Sequence, residues 1–194
     1  MKPVVFCLLV LPLLLSCADN PQSKTVNKQD SAVVKQSFFP VTAYIKGQLY
    51  EIKQMGITPL EYTVVNGHTD SVWLKHNEID EAIKEFLTPE IDSVNLTTLF
   101  TEKNFLDQTI GAVTFTYDAS APLPDTITLK HWDVYLDPET GKVKRIYMVK
   151  DISKSKTLQL IWQSGKYCKV TTIIIDQNGN SSVEKEEKIT WDFN

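Results

Sequence analysis

The chain has few of the residues that announce a metal site, a disulfide scaffold or a nucleotide loop. It carries only 3 cysteines and 3 histidines in 194 residues. The histidines, His68, His76 and His131, stand in no H-E-x-x-H and beside no cysteine pair, so no zinc motif is present. The 7 glycines are scattered, and none forms G-x-G-x-x-G or G-x-S-x-G. That removes the dinucleotide fingerprint and the nucleophile elbow. No basic excess exists either: 20 Lys and Arg stand against 24 Asp and Glu. A nucleic-acid-binding chain would show a basic stripe instead, so no nucleic-acid partner is expected. No period of about 20–50 residues repeats, which excludes a solenoid. No apolar run reaches the roughly 20 residues of a comfortable membrane-spanning helix.

What is present begins at the first residues. Lys2 is followed by the apolar run Val4 to Leu15, broken by Pro12, and the next charge is Asp19. A basic start, a short apolar stretch and a small residue read as a secretory leader. Its end, Leu14-Leu15-Ser16-Cys17, resembles the bacterial lipobox. The resemblance implies that residues 1–16 are a lipoprotein signal peptide cleaved before Cys17. It also implies that the Cys17 thiol receives a diacylglyceryl group and the freed amino group a further acyl chain such as palmitate. One acyl chain holds only marginally, at about 0.8 kcal/mol per buried methylene, whereas several on one residue anchor durably. Ala18, not Asp, follows Cys17. In the sorting pattern of that family this implies the outer membrane, with the protein facing the periplasm or the surface. Cys7 then leaves with the leader and Cys17 is consumed, so Cys168 has no partner for an intramolecular disulfide. In its apolar run it reads as a small buried hydrophobe.

Residues 17–37 read as the lipidated cysteine and a flexible tether. The stretch is rich in Asn, Gln, Ser and Lys and contains no aromatic residue. As a coil it would average about 25 Å. Residues 38–194 read as a single α+β domain. Pro40 suits a first helical turn, and Val41, Tyr44, Ile45, Leu49, Ile52 and Met55 share a helical face up to Gly56. Strands at 61–65 and 71–75, joined through Asn66-Gly67, read as a hairpin. Asn77 is placed to cap a second helix with Ile79, Ala82, Ile83, Phe86 and Leu87 as its stripe. Leu96, Leu99, Phe100 and Leu106 suggest a third helix over 94–107. From Ile110 the period is two, with strands expected at 112–117, 126–136, 142–150, 156–163, 167–175 and 182–193. Short turns between them demand antiparallel pairing. The expected fold is an antiparallel meander of about six strands with the N-terminal helices packed on one face.

His131-Trp132-Asp133 is the best local candidate for chemistry. Residues two apart on a strand share a face, so His131 and Asp133 can orient each other or contribute to a metal site. Local sequence offers two such groups, and a zinc site needs at least three protein ligands. The pair therefore reads first as a solvated couple, with no catalytic, cofactor or metal residues assigned. His68 and Asp70 read as turn residues. Glu184, Glu186 and Glu187 read as a solvated edge or face. Trp73, Trp132, Trp162 and Trp191 read as core, with an aromatic-lined groove as the alternative.

The body of the chain resembles uncharacterised lipoproteins of the Bacteroidota. The stretches 69–74 (TDSVWL), 103–109 (KNFLDQT) and 131–135 (HWDVY) carry that impression. Asp30-Ser31-Ala32 in the tether also resembles the O-glycosylation site of these bacteria. The expectation is a membrane-anchored, non-enzymatic binding or accessory module without a cofactor, whose partner is an envelope protein or an apolar ligand. A carrier of lipid or another apolar ligand in a half-barrel groove, and an envelope enzyme, are the alternatives.

Overall fold

A computed structural model describes residues 37–193. The predicted leader, Cys17 and nearly all of the tether lie outside these residues. The described chain is dominated by one antiparallel sheet of nine strands with a few helices. It opens with α1 (Val41–Gln54), followed by the hairpin β1 (Leu60–Val65) and β2 (His68–Trp73). Two one-turn helices come next, α2 (Ile79–Ala82) and α3 (Lys84–Leu87). Then run β3 (Phe100–Asp107), β4 (Ala112–Ala119), β5 (Leu129–Leu136), β6 (Val143–Ser153), β7 (Lys156–Gln163), β8 (Tyr167–Ile175) and β9 (Ser181–Thr190). The spatial order is β2-β1-β9-β8-β7-β6-β5-β4-β3.

The expected count of about six strands is therefore too low, for two reasons. The segment 94–107 does not form a helix: its second half is β3, paired with β4 from Phe100↔Ala119 to Asp107↔Ala112. β-Branched Thr101 favours an extended chain, and the local turn closed by Asp107 makes the pairing inexpensive. Asp107 Oδ1 accepts from the amides of Thr109 and Ile110 at 2.9 and 3.3 Å. The second reason is long-range. β1 pairs with β9, from Leu60↔Thr190 to Val65↔Lys185, so the hairpin belongs to the main sheet. That pairing rules out the edge in the reading of Glu184, Glu186 and Glu187 as a solvated edge or face. β9 lies between β8 and β1, and all three are half-buried.

The hairpin turn is the two-residue Asn66-Gly67, both with positive φ (51° and 77°). That is the type I′ geometry whose twist matches the strands it joins. His68 and Asp70 consequently lie on β2 and not in a turn. The expected second helix is broken into α2 and α3 at Ile83, and Asn77 does not cap it; no side chain caps α2. In α1 the buried positions are Val41, Thr42, Ile45, Leu49 and Ile52. Met55 leaves the stripe and is exposed. Thr42 is buried at no cost in polar satisfaction, because its hydroxyl accepts from Ile91 N at 2.8 Å.

β7 and β8 alternate as their sequence demands. Leu158, Leu160 and Trp162 of β7 are buried, while Thr157, Gln159 and Gln163 are half-buried. The core cluster joins these to Trp132, Val134, Ile146, Met148 and Val170, and to Val41, Ile45, Leu49 and Phe86 from the helices. Three of the four tryptophans are core: Trp132, Trp162 and Trp191. Trp73 is 57% exposed and rests against Phe193, with ring centroids 5.6 Å apart.

Candidate functional site

The outward face of β4, β5 and β6 carries the one pair that the sequence singles out. Register places Asp118 opposite His131 and Thr116 opposite Asp133, so all four side chains share a face. β6 adds Tyr147 opposite Asp133 and Arg145 opposite Tyr135. His131 lies between two carboxylates: Nδ1 is 2.9 Å from Asp118 Oδ1 and Nε2 is 3.1 Å from Asp133 Oδ2. Asp133 Oδ1 accepts from the Thr116 hydroxyl at 2.6 Å, and Oδ2 from the Tyr135 hydroxyl at 3.0 Å. Lys103 Nζ reaches Asp118 Oδ2 at 3.1 Å. The Arg145 guanidinium lies over the Tyr135 ring, 4.1 Å from its centroid.

The electrostatics follow from this enclosure. The hydrogen bond to Asp133 raises the His131 pKa above its ordinary value; burial opposes this, and the charges of Asp133 and Asp118 add to it. For Asp133 burial pushes upward, but hydrogen bonds from His131 and Thr116 outweigh it and hold the carboxyl low. Asp118 is likewise held low by Lys103 and His131 against burial. When protonated, the ring spends both of its N–H groups on carboxylates. Such a ring offers no lone pair to act as a general base. The carboxylates approach the ring from opposite ends, so they do not converge on a point where a cation could bind. Among the described residues no group of three His, Cys, Asp or Glu could hold a metal ion. His68 and His76 are exposed and lie outside this cluster.

This geometry has a pH signature. A raised His131 pKa contributes stability below its ordinary value of 6.5, lost as pH rises through the folded-state value. The lowered Asp133 and Asp118 contribute above 3.8, and lose it as pH falls through their folded values. The stability difference between wild type and His131→Asn should therefore peak at about pH 5–6 and shrink on both sides. Urea unfolding across a pH series measures it. A difference that stays flat from about pH 5 to 9 would show that the network carries no charge coupling.

The second feature lies on the other face of the sheet. A cavity of about 340 Å³ opens between the α2–α3 segment and strands β1, β7, β8 and β9. Its floor is apolar, built from Phe86, Leu158, Val170 and Ile189, with Cys168 beneath. Burial pushes the Cys168 thiol pKa upward, which keeps it protonated and inert. The wall carries Glu61, Glu81, Glu85 and Glu187. A shallower hollow of about 180 Å³ lies beside Tyr135 and Arg145 on the outward face.

The sequence shows the His131–Asp133 pair through its spacing but not Asp118, because the register of β4 against β5 depends on the 120–128 loop. It also passes over Lys150. The period-two set Ile146, Met148, Lys150 places that lysine inward, where its side chain is 2% exposed. Its Nζ donates to the Glu85 carbonyl and lies 2.9 Å from Glu85 Oε2. Glu61 joins Glu187 on the cavity wall only through the β1–β9 closure. No protein-family model matches this chain, and comparison with curated proteins and with solved structures gave no match.

Proposed function

We propose that this chain is an envelope lipoprotein, anchored through lipid on Cys17, whose domain binds a ligand without transforming it. The outer membrane is the proposed location, from Ala18 after the lipobox cysteine. No helix of the described residues is long and apolar enough to cross a membrane. The observation that carries the binding reading is the apolar-floored cavity of about 340 Å³, within the size range of small-ligand pockets. The helical segments are the cover of the apolar sheet face in this reading, with Val41, Ile45, Leu49 and Ile52 of α1 among the core side chains. A face filled in this way speaks for a compact ligand over a lipid lying in an open half-barrel groove. His131, with both nitrogens engaged, speaks against an enzyme built on that residue.

Fractionation tests the anchor. Wild-type protein should partition into detergent with an N-terminus at modified Cys17, and Cys17→Ser should remain as precursor or become soluble. If the variant still partitions through a normally processed N-terminus, the lipid reading is wrong. In the same cells His131→Ala and Asp133→Ala should preserve whatever phenotype the wild-type protein restores to a deletion strain. Lost function with the fold intact by circular dichroism would overturn the non-enzymatic reading.

A further inference from the structure

The cavity beneath α2 and α3 has an uneven charge balance. Four carboxylates line it, and three of them have a lysine partner. Glu81 is paired with Lys84, Glu85 with Lys150, and Glu187 with Lys185 at 2.7 Å. Glu61 is the remaining one. It makes no hydrogen bond or ion pair among the described residues, although it is half-buried on the wall between β2 and β9. Removing a carboxylate from water without a partner is costly, and a cation nearby offsets that cost.

Thr172 supplies a second and independent sign. Its side chain lines the same cavity, the residue is only 7% exposed, and its hydroxyl bonds to no described residue. That hydroxyl is reached from the cavity and not sealed in the core, and a hydroxyl held on a cavity wall without a side-chain partner is a place for a ligand to bond. The floor formed by Phe86, Leu158, Val170 and Ile189 offers apolar contact to the rest of that ligand.

We propose that this cavity binds a small organic monocation: an ammonium group set against Glu61, with a polar contact to Thr172 and an apolar body on the floor. This rests on the binding-module reading and names its ligand class. One unpaired carboxylate fixes the charge at +1. With Lys84 in the lining and three of the carboxylates paired to lysines, the cavity keeps a balance of one negative charge, which neither an anion nor a dication matches. Burial and the neighbouring Glu187 raise the Glu61 carboxyl, with Lys185 opposing, which is the strain an incoming ammonium relieves.

The test uses the purified full chain and three probes of one shape, phenethylammonium, 2-phenylethanol and phenylacetate, with binding followed by calorimetry and by amide shifts. Phenethylammonium should bind, 2-phenylethanol should bind at least about tenfold more weakly, the factor of a single charge-assisted contact, and phenylacetate should not bind. Glu61→Gln keeps the shape and should erase the preference for the cation; Thr172→Val should weaken binding by about threefold. Circular dichroism verifies that each variant is folded. Equal binding of the cation and the alcohol overturns the charge assignment while leaving a binding cavity in place. Cation binding that is indifferent to Glu61→Gln overturns the site. Failure of all three probes removes the cavity from the binding reading altogether, whereas the anchor is judged separately by fractionation.

Discussion

Trp132→Ala should destabilise the domain by about 3–5 kcal/mol, at the upper end for a core aromatic. Trp132 is fully buried and is the hub of an aromatic cluster. Tyr117 stacks on it at 4.5 Å with 8° between the ring planes, and Phe100 and Phe38 meet it edge-on at 4.7 and 6.0 Å. These rings come from β3, β4, β5 and the segment before α1, so one truncation loosens four parts of the chain. Each aromatic contact adds about 0.5–1.5 kcal/mol beyond the area buried. The indole N–H has no hydrogen-bond partner among the described residues. The loss is therefore one of packing, and Trp132→Phe should cost well under half as much. Urea unfolding of both variants checks this. A cost below about 1 kcal/mol for the alanine variant would mean that this ring is not central to the core.

Glu85→Ala should be nearly as damaging, at about 3 kcal/mol, because it leaves Lys150 buried with only a carbonyl for company. The lower end of the usual range applies, since the Glu85 side chain is 36% exposed and water can approach it. Lys150→Met should behave oppositely. A methionine fills similar space among Leu129, Leu158 and α3, and exchange of a buried ion pair for apolar packing is commonly neutral or stabilising. The double variant Glu85→Ala/Lys150→Met should then be more stable than Glu85→Ala alone. Chemical denaturation of the three proteins gives the cycle. If adding Lys150→Met to Glu85→Ala brings no recovery, the lysine charge is not the source of the cost.

How far the sequence reaches is clear from particular elements. β7 and β8 are bounded by Ser164-Gly165 and alternate cleanly, so their limits agree with expectation at both ends. α1 is legible because its stripe, Pro40 and Gly56 agree. β3 is not, because Leu96, Leu99 and Phe100 fall at helical spacing while Phe105 and Leu106 are exposed strand residues. A helical stripe and a partly exposed edge strand share that pattern. The β1–β9 pairing is illegible for another reason: no local signal connects residues so far apart in sequence. The sites divide the same way. His131 and Asp133 are read from two-residue spacing, whereas Asp118, Glu61 and Glu187 join their clusters through register alone.

The pairing of β9 with β1 also sets the order in which this domain can be completed. Seven strands, β3 to β9, each lie beside their sequence neighbour, so their contacts close short loops and form early. Leu60↔Thr190 closes nearly the whole domain, the most expensive loop in chain entropy. Until β9 has emerged and docked, the hairpin has no neighbour, and a two-stranded hairpin alone is marginal in water. A chain arriving N-terminus first thus carries β1 and β2 as an unpaired early piece for most of its synthesis. The hairpin joins the sheet only when β9 docks, and the cavity beneath α2 and α3, walled by β1 and β9, is the last part of the described domain to form.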